Sequence, residues 1–183
     1  MKTLDRFTRG LIVGVTTSAI KDALSFFSYY VLHFTKATYG HLMAVFLYGR
    51  APRSIFELLI AQFVELGIEG ALGITFIYYA YRTKNKKNLW LKGIFFAYTV
   101  YLGAYFTGTF YRLPLIGKPA IETVICNFIT TTIFGILMGA MTYWWGKKLG
   151  DFSDEVPQQN AVHSLREMEA EDDVKPSKPV KLK

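Results

Sequence analysis

The sequence predicts an all-α integral membrane four-helix bundle, residues 1–150, followed by a polar and mostly disordered tail, residues 151–183. Three observations predict it. Apolar residues collect in four blocks, 11–34, 55–81, 94–111 and 120–145, each near or above the roughly 20 residues that cross about 30 Å of hydrocarbon. Charge divides the same way: residues 1–150 hold 16 Lys/Arg and 6 Asp/Glu, whereas 151–183 hold 5 and 8. The basic residues fall in short segments beside the apolar blocks, where they act as topology signals and lipid-headgroup contacts. With no soluble basic domain to carry it, nucleic-acid binding is not expected.

The first span is expected at about 10–34. Its basic start (Lys2, Arg6, Arg9) resembles a signal peptide, but the apolar run is too long for one and shows no small-residue cleavage site. Gly10, Gly14 and Ser18 lie four apart on one helical face, where another helix can approach closely. In the loop 35–53, the apolar piece 41–48 is too short to span and reads as an interfacial helical turn or a re-entrant segment. Pro52 and Ser54 open the second span, 54–81, because proline suits the first turn and serine caps.

A polar hinge, 82–88, separates that span from the third, 91–111. Pro114, Gly117 and Pro119 fix a tight turn before the fourth, 120–145. With four spans, the N-terminal, middle and C-terminal segments carry ten Lys/Arg and the opposite side five. That asymmetry predicts a cell-membrane protein with both termini cytoplasmic. The tail lacks the apolar content for a core; a short helix near 162–170 is the one element expected there.

One feature points beyond architecture. Glu57, Glu65 and Glu69 lie in the second apolar block, and Lys21 and Asp22 in the first. A charged side chain at the centre of a membrane helix costs about 2.5–3.5 kcal/mol on insertion scales, so such groups need partners, protons or water. Packed antiparallel, the two helices place Lys21 at about 15 Å and Glu69 at about 18 Å from their inner ends, given a 1.5 Å rise per residue. Glu57, Ala61, Glu65, Glu69 and Gly73 repeat every four residues, giving one polar, small-residue face. Lys21, Asp22, Glu65 and Glu69 are thus the ion- or proton-coupling candidates. If all four are ionised they carry −2, which a proton or a cation must help to balance. The same residues also suit a purely structural Lys–Glu pairing, with Glu57 interfacial and hydrated.

Weaker signals surround them. Gln62, Tyr98, Tyr101, Tyr105, Asn127 and Thr131 are candidates for lining a cavity, the tyrosines forming a stripe able to bind a cation through ring faces. The same stripe equally fits interhelical packing. Gly135 and Gly139 form a GxxxG pattern suited to close helix contact or dimerisation. Cys126, the single cysteine, reads as a small buried hydrophobe. His33 and His41 lack a third ligand at useful spacing, so no metal is expected. No phosphate loop, nucleophile elbow or zinc motif appears, so neither enzymatic activity nor a cofactor is expected.

The stretch Ser28-Tyr29-Tyr30-Val31-Leu32-His33-Phe34 after a Gly-rich first helix, with Asn127-Phe128-Ile129 in the fourth, resembles small four-span membrane proteins of spore-forming Gram-positive bacteria. The likeness covers about residues 8–148. It implies the four-span architecture and, since that group has no settled activity, assigns no functional residue. The function expected is a proton- or cation-coupled permease subunit for small solutes, a homo-oligomer in the lipid bilayer. The alternative is a non-transporting membrane scaffold or assembly partner.

Overall fold

The structure, a computed structural model, describes residues 5–83, 87–149 and Phe152. The tail and its expected short helix otherwise lie outside the described residues. Among the described residues there are five α-helices: α1 (Arg6–Phe26), α2 (Tyr39–Tyr48), α3 (Ile55–Arg82), α4 (Leu89–Phe110) and α5 (Ile121–Lys148). No strand occurs among the described residues. Taken with the wide π-helical turn Phe27–Val31 that prolongs it, α1 is one of three helices long and apolar enough to cross a membrane, with α4 and α5. At 28 residues α3 is as long as α5, and it carries the three glutamates.

Helix ends follow local chemistry. Asp5 caps α1 by accepting from the Thr8 amide at 3.2 Å, and Ser54 caps α3 by accepting from the Glu57 amide at 3.2 Å. Glu57 then closes the entry to α3. It accepts two hydrogen bonds from the Arg50 guanidinium, at 2.8 and 2.9 Å, and one from the Arg53 amide at 2.8 Å. An anion in the first turn also suits the helix dipole. Glu57 therefore belongs to a surface pairing, two turns away from Glu65.

The helices associate as two close pairs, α1 with α3 and α4 with α5, joined mainly through α1 and α5. Glycines make each approach possible. A Cβ added at Gly10 or Gly14 would strike the α3 backbone at Gly73–Ile74 or Glu69–Gly70, and one at Gly73 would strike Gly10 and Gly14. In the second pair, a Cβ at Gly135 or Gly139 would meet the backbone of α4 at Gly93–Ile94 or Leu89–Trp90. Such approach is how helices gain contact where no hydrophobic drive separates protein from lipid. Ser18 is fully buried on α1.

Polarity is arranged inside out relative to a water-soluble bundle. The interior contains Thr17, Ser18, Lys21, Asp22, Asn127 and Thr131, and the apolar core around Phe76, Phe134 and Met138 is small. Outside, Phe63, Phe95 and Phe106 are 73%, 67% and 74% exposed. So many large apolar side chains on the outside are unusual on a soluble monomer and fit acyl chains.

The segment expected to be an interfacial turn or a re-entrant piece is α2, packed on α3. Thr38 caps it: the Thr38 hydroxyl accepts from the His41 amide at 3.4 Å and lies 2.8 Å from His41 Nδ1, which also accepts from the Thr38 amide at 3.4 Å. Gly49, at φ +68°, ends it in the left-handed conformation that glycine tolerates. This capping box needs an unprotonated Nδ1, and burial holds the His41 imidazole below its ordinary value. The unfolded chain then takes up the proton first. Stability supplied here is complete above about pH 6.5 and is lost as pH falls through the lower folded value. Thermal unfolding in detergent should therefore show a lower midpoint at acidic than at neutral pH. His41→Gln, which keeps an acceptor in the box, should flatten that part of the dependence.

Candidate functional site

Lys21 is the centre of the site. It lies on the buried face of α1 with only 2% of its surface exposed. Its Nζ donates to Glu65 Oε1 and to Glu69 Oε1, both at 2.8 Å, and lies 3.7 Å from Asp22 Oδ1. Glu65 and Glu69 reach it together because they are one helical turn apart on α3. Gly14, Gly70 and Gly73 set the distance, letting the backbones approach so closely that a short span between side chains is bridged.

A second layer fixes the carboxylates. Gln62, one turn before Glu65, donates from Nε2 to Asp22 Oδ2 at 2.7 Å and to Glu65 Oε2 at 3.0 Å. Ser18 donates to Asp22 Oδ2 at a longer 3.5 Å. Above Lys21, α2 contributes Tyr39, whose ring centroid is 3.8 Å from Nζ. The Tyr39 hydroxyl bonds α5 through Thr130 (2.8 Å), Thr131 (3.1 Å) and the Asn127 carbonyl (3.1 Å). One ammonium thus faces three carboxylates and an aromatic ring, the groups drawn from three helices. With all four ionisable groups charged, the site carries −2.

Polar capacity is left over. Glu69 Oε2, Asp22 Oδ1, Gln62 Oε1 and the Tyr101 hydroxyl are buried atoms with no hydrogen-bond partner. Such groups are rare in folded proteins, because a buried polar atom without a partner costs about 1–3 kcal/mol.

Beside the cluster lies a cavity of about 140 Å³ between α3 and α4, under α2. Lys21, Glu65 and Glu69 form one end, and apolar side chains such as Leu42, Phe46, Leu72 and Val100 form most of the wall. Two other wall residues, Ile68 on α3 and Ala104 on α4, are exposed, so the cavity opens sideways between these helices. There is room for it because α3 and α4 scarcely touch.

Of the six residues picked from sequence as lining, Tyr101, Tyr105 and Thr131 are on the wall. The other three are placed elsewhere. Tyr98 turns to α5, 2.5 Å from the Thr132 hydroxyl and donating to the Phe128 carbonyl at 3.2 Å. Asn127 is fully buried behind the wall and donates to the Tyr105 hydroxyl at 3.1 Å. Gln62 serves the carboxylates. Spacing alone could not separate these cases: a helical stripe fixes a shared face, while helix rotation decides which member faces the gap. Tyr39 was missed altogether, since an aromatic in a short segment carries no periodic signal. Gly70 and Gly93 were likewise passed over.

No cluster of three or more His, Cys, Asp or Glu suited to a metal occurs among the described residues. Comparison with family models, with curated proteins and with solved structures returns no match. The chemistry of the site is accordingly read from its own groups.

Proposed function

We propose that the protein is a multi-pass protein of the cell membrane that serves as a subunit of a proton- or cation-coupled permease for small solutes. In this reading α3 crosses the bilayer with α1, α4 and α5, both termini face the cytoplasm, and copies of the chain assemble around the transport path. Kinship with the four-span proteins of spore-forming bacteria belongs to the same reading. One observation carries it: three carboxylates surround a single buried ammonium at the end of a cavity, and Glu69 Oε2 there has no partner. An intramembrane ionisable group facing a cavity marks an ion or substrate path by default, and an excess of carboxylate over ammonium leaves a place for a proton or a cation.

Proteoliposomes with an internal pH-sensitive dye test the reading. The native protein should dissipate an imposed cation or proton gradient faster than empty liposomes, and Glu65→Gln/Glu69→Gln should return the rate to the empty-liposome level. Native protein no faster than empty liposomes would overturn it.

A second reading has its own support. Lys21 has two direct ion pairs and an aromatic face, and Gln62 ties Asp22 to Glu65. Such a network suits a register lock between α1 and α3 in a scaffold that transports nothing. That account expects the double glutamine variant to lose stability while the native protein shows no flux.

A further inference from the structure

The cavity has an amphiphilic form that selects among ligands, whether or not anything is transported. Its wall is apolar along most of its length. Glu69, at its closed end, has a buried Oε2 without a partner, which only accepts hydrogen bonds while ionised, and the lining residue Tyr101 has a buried hydroxyl without one. The surrounding ionisable groups are three carboxylates against one ammonium. Its volume, about 140 Å³, is close to that of an engineered apolar cavity of about 150 Å³ that stays dry and takes up benzene. The mouth between Ile68 and Ala104 faces sideways, between α3 and α4.

We infer that this cavity is a binding site for a lipophilic primary amine. Its body is the size of one aromatic ring, and its protonated amino group donates to Glu69 Oε2 and to the Tyr101 oxygen. Each feature excludes a competitor. An anionic amphiphile meets excess negative charge at the closed end. A neutral alcohol supplies a hydrogen bond but leaves the charge unbalanced. A quaternary ammonium has the charge and no N–H, so it leaves the Glu69 oxygen without a donor. A bare metal ion demands several oxygen ligands, more than the one free carboxylate oxygen on the wall offers. Water fits poorly along so apolar a wall.

The test is calorimetric titration of the full chain in nanodiscs of zwitterionic lipid, with empty nanodiscs subtracted. Phenethylamine is compared with 2-phenylethanol, phenylacetate and phenethyltrimethylammonium. Phenethylamine should bind saturably and about tenfold or more tighter than each of the others, as expected when a charge-assisted hydrogen bond replaces a neutral one. Glu69→Gln should abolish that preference. Val100→Trp, which fills the cavity and leaves the ion cluster intact, should abolish saturable binding of the amine with the helical circular-dichroism signal unchanged. If Glu69→Gln does not insert, the Val100→Trp result decides. Equal affinity for the alcohol, tighter binding of phenylacetate or the quaternary ion, native-level binding by Val100→Trp, or no saturable signal above empty nanodiscs would each overturn the proposal. Because binding is read at equilibrium, a protein that binds the amine and passes no ions refutes the permease and leaves this site standing.

Discussion

Lys21→Met should destabilise the protein by about 3–5 kcal/mol, the range seen when one partner of a buried ion pair is removed. The side chain that replaces it has similar length, so packing changes little. What changes is charge: Glu65 and Glu69 lose the ammonium that each contacts at 2.8 Å, and Asp22 loses the cation 3.7 Å from it. Three carboxylates then share a poorly solvated interior. Unfolding in mixed micelles, followed by circular dichroism, should register the loss. Adding Glu65→Gln and Glu69→Gln to Lys21→Met should recover a large part of it, because a neutral network replaces unpaired charge. Absence of any recovery would mean that the lysine acts through packing rather than through its charge.

Gly14→Leu should prevent α1 from docking on α3. A Cβ at position 14 already collides with the carbonyl of Glu69 and with Gly70, and those are backbone atoms that cannot rotate aside. The helices would have to part, separating Lys21 from Glu65 and Glu69 as well as losing the glycine contact. Overpacking of a close contact typically costs about 1–3 kcal/mol, and here the broken ion pairs add to it. Gly67 and Gly103 are the internal controls, since nothing lies within 4 Å of a Cβ at either. Alanine there should be neutral or stabilise slightly, by up to about 0.5–1 kcal/mol from helix propensity. Thermal midpoints of the three variants, measured in one detergent, would expose the contrast.

Much of the architecture was legible because hydrophobic length is a one-dimensional property. The four long helices fall close to the blocks read from the sequence, α5 at Ile121–Lys148 against an expected 120–145. The first span is the partial exception, since its regular α-helix ends at Phe26 and a π-helical turn follows. The relative depth of Lys21, Glu65 and Glu69 was also accessible, since it needs only the rise per residue and an antiparallel pair. Rotation about each helix axis was not. It decides that Tyr101 faces the cavity while Tyr98 bonds α5, and that Gln62 works between Asp22 and Glu65. The seating of α2 was hidden for another reason. Its cap pairs Thr38 with a histidine rather than with the usual Glu or Gln of a capping box, and Gly40 lets it approach Gln62. Neither signal is distinctive in a single sequence.

The account of the buried ion cluster depends on where one nitrogen sits. Magic-angle-spinning NMR on protein in lipid bilayers, with ¹⁵N-lysine and ¹³C-labelled glutamate side chains, measures dipolar coupling between Lys21 Nζ and each glutamate carboxyl carbon. Strong dephasing should come from both Glu65 and Glu69, each assigned by loss of its signal in the matching Glu→Gln variant, as required by Nζ–O separations of 2.8 Å. A Lys21 nitrogen that shows no coupling to either carboxyl would contradict the account.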